Sequence, residues 1–142
     1  ESPHDIRLER IVGVDQYDKR DILPPGGKVK YFKTTTDEFF KDNTDQFDCV
    51  FIDAAHEYEQ AHRDFDNSLK VLTENGLIFL HDTYPPSHQC TGPSGCGDVY
   101  RTYLDLVERE DLEVINIPLH LGLCIVRRVD PNNRITTLKE HA

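Results

Sequence analysis

Cys49-Val50-Phe51-Ile52 is an unbroken apolar run, closed by Asp48 on one side and Asp53 on the other. A strand with one wet face alternates apolar and polar residues. A short run without alternation therefore predicts a strand buried on both faces, as in parallel sheets covered by helices. Leu77-Ile78-Phe79-Leu80, ending on His81-Asp82, repeats the pattern, and Ile11-Val12-Gly13-Val14 ends on Asp15. Val29-Lys30-Tyr31-Phe32 follows a loop holding Pro24-Pro25-Gly26-Gly27 and precedes a short helix predicted from Thr36 to Phe40.

Between the two-sided runs the period changes. Tyr58, Ala61, His62, Phe65, Leu69 and Leu72 fall at helical spacing on one face, and Asn75-Gly76 supplies a stop signal. His62, on that face, is expected to be a satisfied core residue. A loop rich in Pro, Gly, Ser and Cys spans Thr83 to Gly97, after which Asp98 is placed to cap a helix with Val99, Tyr103, Leu106 and Val107 inward. Leu112 to Ile117 and Leu123 to Val126 pattern as strands of a hairpin turning through Pro118, His120 and Gly122. The order predicts one α/β domain over residues 1–129, with a sheet covered by helices on both faces, and a polar tail over 130–142.

The chain has 26 acids against 16 bases, a formal net charge of −10. That field repels phosphate backbones and no basic cluster interrupts it, so no nucleic-acid partner is expected. No run of 18 apolar residues is present, so no membrane span is expected. The four cysteines form no CxxC pair, and with no secretory signal visible the expected location is the cytoplasm. Cys49 and Cys124, inside apolar runs, read as buried thiols. His88, Cys90 and Cys96 leave three readings open: a zinc site, a small disulfide loop, or a flexible loop over a substrate cleft.

Three strands end on an acid: Asp15, Asp53 and Asp82. Ligands of open parallel sheets bind outside the carboxyl ends of the strands. With His56 and His81 beside them, these acids mark the candidate site. His56, three residues past Asp53, is placed either to take a proton from a substrate hydroxyl or to hydrogen-bond backbone at a helix start.

The segments Phe51-Ile52-Asp53-Ala54-Ala55-His56-Glu57-Tyr58 and Leu72-Thr73-Glu74-Asn75-Gly76-Leu77-Ile78-Phe79-Leu80-His81-Asp82-Thr83 resemble class I, Rossmann-like S-adenosylmethionine methyltransferases. The likeness is to the branch of antibiotic-sugar and small-molecule O-methyltransferases, which read F-I-D-G-x-H-x-Y, then a helix, L-x-P-G-G and a strand closing on D-D, E-D or H-D. The resemblance implies a Rossmann-like sheet, mostly parallel with a C-terminal antiparallel hairpin. It also implies methyl transfer from S-adenosylmethionine to an oxygen or nitrogen of a small-molecule acceptor. Carried over, Asp15 would accept hydrogen bonds from the cofactor ribose, Thr36 and Asp37 would lie along the adenine, and Asp53 would sit near the methionine end. Asp53 and Asp82, with His81 in place of the more usual carboxylate, would hold Mg²⁺ or Mn²⁺. His56 would be the base, with Asp53 beside it in the catalytic pair.

The family's glycine-rich loop, about 20 residues before the ribose acid, has no counterpart in the fourteen residues preceding Asp15. The first strand and that loop are therefore expected to be missing from this truncated domain. The sheet is then expected to close directly between the Ile11 and Cys49 strands or to recruit a second chain as a homo-oligomer. Weak or no binding of S-adenosylmethionine by the 142 residues would follow. Two rival readings stand beside this one. The first is a catalytically inactive remnant of the fold acting as an interaction module. The second is a nicotinamide dehydrogenase, which gives no role to the segments around His56 and Asp82.

Overall fold

The computed structural model describes residues 9–23, 28–53 and 55–132. The Pro24-Pro25-Gly26-Gly27 loop, Ala54 and the tail from 133 onward lie outside them. The chain divides into two units, Glu1–Asn43 and Thr44–Ala142.

The first unit pairs β1 (Ile11–Asp15) in parallel with β2 (Val29–Lys33), placing Asp15 opposite Lys33. Helix α1 (Thr36–Asp42) starts just beyond β2, and the Thr35 hydroxyl accepts the Glu38 amide at 3.2 Å. That N-cap, with Asp37 and Glu38 in the first turn and Lys41 in the last, matches the helix dipole at both ends. The Phe39 ring packs edge-on against Phe32 at 5.2 Å. The helix runs two residues past the predicted end.

In the second unit β3 (Phe47–Ile52), α2 (Tyr58–Val71), β4 (Leu72–His81), α3 (Tyr100–Val107), β5 (Leu112–Ile117) and β6 (Leu123–Arg128) follow in order. The strands form one sheet in the order β3-β4-β6-β5. β3 and β4 are parallel, whereas β6 runs antiparallel to both β4 and β5. The predicted hairpin is present, but the pairing is mixed, not mostly parallel. Among the described residues β1 and β3 belong to separate sheets.

Register explains the core. Val50, Ile78, Val126 and Val114 form one row across the four strands, and Ile52, Leu80, Cys124 and Asn116 form the next. Ala61 and Phe65 of α2, and Val99 and Leu106 around α3, pack onto these rows. Both helices of this unit thus cover one face of its sheet. On the other face Phe51, Phe79, Ile125 and Ile115 are in register, and Phe51 and Ile115 are exposed. Cys49 shares that face and is exposed, so the expected burial holds for Cys124 but not for Cys49. Burial pushes the Cys124 thiol up to about 12.

Three further expectations are corrected. Asn75-Gly76 do not stop α2, which ends at Val71. They lie in an irregularity of β4, where Leu72 pairs with Phe47 and Leu77 already pairs with Cys49. The centre of the buried α2 face holds Asp64 and Ser68, and Asp64 accepts from the Gln60 amide at 2.9 Å. His62 is displaced to the flank, half-buried, where its ring nitrogens face Asp66 at 3.3 Å and Asp105 of α3 at 3.8 Å.

The C-terminal carbonyls of α2 find their donor on β6. The Arg128 guanidinium donates to Leu69 O at 2.6 Å, to Thr73 O at 3.0 Å and to Leu72 O at 3.4 Å. One planar fork therefore satisfies a helix end and the strand irregularity after it. Arg128→Ala should lower stability by about 1–3 kcal/mol, from the loss of charge-assisted bonds to partly buried carbonyls. Urea unfolding checks this as a lower midpoint at unchanged slope, with Arg128→Lys recovering part of the loss.

Candidate active site

At the carboxyl ends of β3 and β4 four of the sequence-predicted residues meet. Asp53 follows β3, while His81 ends β4 and Asp82 follows it. His56 lies in the turn before α2. A small open pocket is lined by Asp53, His56, His81 and Asp82 above Ile52 and Leu80.

Asp82 is the anchor. It is 2% exposed and its backbone is left-handed, with φ of 63°. A buried carboxylate and a strained backbone each cost free energy, and such strain clusters at functional sites. Thr83, next to it, donates to the Asn116 side chain at 2.8 Å, and the Asn116 amide donates back to Thr83 O at 3.2 Å. The two hydrogen bonds lock the end of β4 against β5.

Asp82 is bracketed by two imidazoles: Oδ2 lies 3.2 Å from His56 Nε2, and Oδ1 lies 3.2 Å from His81 Nδ1. His81 Nδ1 is also 3.6 Å from Asp53 Oδ1. Despite these distances, neither His81 Nδ1 nor Asp82 Oδ1 has a hydrogen-bond partner among the described residues, and both atoms are buried. Close donors and acceptors that do not bond one another are left to bind a third group. Asp53, His81 and Asp82 each offer a ligand atom there, all within 4.8 Å of one another. The orphaned atoms and the donor chemistry fit a divalent cation.

His56 is held by the loop after β4. Its Nδ1 lies 2.5 Å from the Gly95 carbonyl, which only accepts, so Nδ1 carries the proton and Nε2 is the basic nitrogen of the neutral ring. Gly97 has φ of 58°, and a Cβ there would fall 1.7 Å from the His56 carbonyl oxygen. Asp98 Oδ1 accepts the Tyr58 amide at 2.6 Å, so its side chain serves the start of α2, whereas α3 was expected to receive it. The Tyr58 hydroxyl donates to Asp105 at 2.5 Å, and this bond raises the phenol above its usual range.

These ties join the loop after β4 to the start of α2. Cys96 is fully buried, and burial followed by the Asp82 charge raises its thiol. Cys90 and Cys96 are both free thiols and join no metal cluster among the described residues.

The sequence reading treated His120 only as a turn residue. Its ring stands perpendicular to that of His81, 6.4 Å away, and its φ is 58°. The hairpin carries it there, with Tyr84 N–H donating to Leu121 O at 2.9 Å. The signal was topological: a hairpin returning β6 beside β4 must bring its turn to the end of β4.

Asp15, Thr36 and Asp37 lie in the first unit, at the carboxyl ends of β1 and β2. Asp15 Oδ1 accepts the Tyr17 amide at 2.7 Å, and Thr36 and Asp37 open α1. An acidic acceptor ending a strand has the chemistry to bind a ribose diol.

A family model described as a methyltransferase domain matches residues 4–83, more than half of the chain. The comparison with curated proteins finds no match. Among solved structures, the chain is similar to the methyltransferase PaMTH1 of Podospora anserina, bound to SAH. The two are 20% identical with a TM-score of 0.67, over 85% of this chain and 61% of that one. The O-methyltransferase TomG of Streptomyces achromogenes, involved in tomaymycin synthesis and in complex with SAM, is 16% identical. Its TM-score is 0.57, over 86% of this chain and 74% of that one. MycE, from the mycinamycin biosynthetic pathway and in complex with Mg and SAH, is 14% identical with a TM-score of 0.55. The match covers 84% of this chain and 37% of that one. At these identities the likeness is one of fold. The chain spans 61% of the length of PaMTH1.

Proposed function

Because the chain belongs to the methyltransferase domain family, as a class I S-adenosylmethionine-dependent domain, we propose that it transfers a methyl group to an oxygen or nitrogen of a small molecule. Divalent-ion assistance is part of this reading. The observation that carries it is the meeting of His56 with the Asp53, His81 and Asp82 cluster at one sheet edge.

S-adenosylmethionine, when bound, supplies an electrophilic methyl carbon whose bond to sulfur breaks as the bond to the acceptor forms. Asp15 would accept from the ribose hydroxyls, Thr36 and Asp37 would lie along the adenine, and Asp53 would serve the methionine end. A divalent ion held by Asp53, His81 and Asp82 would polarise the acceptor hydroxyl. His56 Nε2 takes the acceptor's proton, leaving the oxygen lone pair to form the new bond. The resulting imidazolium is offset by its neighbours, with Nδ1–H on Gly95 O and the Asp82 carboxylate 3.2 Å from Nε2. The negative net charge favours neutral or cationic acceptors over anionic ones.

Calorimetric titration tests the cofactor assignment. A form that carries the glycine-rich loop ahead of these residues should bind S-adenosylmethionine at one site, whereas the 142 residues alone should bind it weakly or not at all. In that longer form Asp15→Ala should weaken binding about 10–100-fold, the cost of lost bonds to a charged acceptor. Unchanged affinity would remove Asp15 from the site. Absence of any binding by the longer form would favour an inactive interaction module.

A further inference from the structure

We propose that this site selects a transition-metal ion such as Mn²⁺ over Mg²⁺, because His81 Nδ1 is itself a metal ligand. The inference rests on the metal-assisted reading above and deepens it.

The argument starts from which atoms converge. Among the described residues Asp82 Oδ1 is buried and unpartnered on a residue 2% exposed, and His81 Nδ1 beside it is equally without a hydrogen bond. Their 3.2 Å separation, and the 3.6 Å from Nδ1 to Asp53 Oδ1, would be hydrogen-bonding distances or close to them if the atoms faced one another. They form no hydrogen bond with one another, and a ring nitrogen of His81 and an oxygen from each carboxylate lie within 4.8 Å of each other. A nitrogen in that set changes the chemistry. Mg²⁺ is hard, keeps its water and takes oxygen ligands, whereas imidazole suits first-row transition ions, and Mn²⁺ accepts both donor types. A carboxylate at position 81 would give three oxygens and a site suited to Mg²⁺.

His81 is also held in place. It ends β4, whose next two residues are fixed by the buried Asp82 and by the paired bonds between Thr83 and Asn116. The His120 ring stands against it edge-on. A side chain so restrained presents its nitrogen with little ordering cost.

Mn²⁺ titrated into the whole protein and followed by electron paramagnetic resonance separates the outcomes. The expected result is loss of the free-ion signal with a bound ion showing ¹⁴N modulation in spin-echo spectra. That modulation should persist in His56→Ala, convert to the ¹⁵N pattern on [¹⁵N]histidine labelling, and vanish in His81→Asp. Competition should show the Mn²⁺-over-Mg²⁺ preference falling at least about tenfold in His81→Asp. A bound ion without nitrogen modulation, or a preference unchanged in His81→Asp, overturns the inference while leaving metal assistance intact. Mn²⁺ that stays free at millimolar concentration sinks metal assistance itself. The labelling arm needs no variant, so a misfolded His81→Asp would not block the test.

Discussion

Gly97→Ala should lower the thermal midpoint of the second unit by roughly 10–20 °C. Two terms add. A residue with a Cβ at φ of 58° pays about 1–2 kcal/mol for the left-handed region. The new Cβ would also fall 1.7 Å from the His56 carbonyl oxygen, a backbone atom that cannot rotate away, so the loop must lift. Lifting it strains the Gly95–His56 and Asp98–Tyr58 hydrogen bonds. A total near 3 kcal/mol gives the stated shift for a unit of about 100 residues. Gly92→Ala is the internal control. Its Cβ would meet only the Gln89 carbonyl at 3.6 Å, an ordinary contact, so calorimetry should find its midpoint nearly unchanged. Equal midpoints for the two variants would mean that the loop is not seated against His56.

The second large effect concerns turnover. His56→Ala should reduce kcat by about 10²–10⁴, the usual contribution of a positioned base. Affinity for S-adenosylmethionine should stay within about twofold, because the role assigned to His56 is on the acceptor's proton. The readout is S-adenosylhomocysteine formed with any acceptor the protein methylates, alongside cofactor titration of the same variant. Turnover at the wild-type rate would reduce His56 to a backbone-bonding residue at the start of α2. A loss of cofactor affinity equal to the loss of rate would make its role one of folding the site.

How much of this was legible in the sequence depended on whether the cause was local. The strands at Cys49, Leu77 and Leu123 were legible because buried strands announce themselves as short apolar runs. The convergence of Asp53, His56, His81 and Asp82 followed from two acids at strand ends, with His81 adjacent to one and His56 three residues past the other. Long-range causes were not visible. Asp98 looked like the cap of the helix it precedes, and nothing nearby marks it as the acceptor for Tyr58 N–H. Asn75-Gly76 carried the chemistry of a helix stop, but α2 had already ended, and the pair was used within β4. His62 sat on the apolar period, yet the two carboxylates that fix it belong to α2 and α3. The placement of α2 and α3 on one face was set by register across β3, β4, β6 and β5, which no run of residues displays alone.

The Asp98–Tyr58 bond also has a bearing on when the site is born. The first turn of α2 receives its carboxylate from a residue 40 positions later in the chain. During synthesis β3 and α2 emerge first, and His56 with them, while Asp98 is still unmade. At roughly 5–20 residues per second the interval is about 2–8 s. Throughout it the turn that carries His56 lacks both its partner at Tyr58 and the Gly95 carbonyl. The histidine is therefore translated early and put in place late, after the loop that follows β4 has returned.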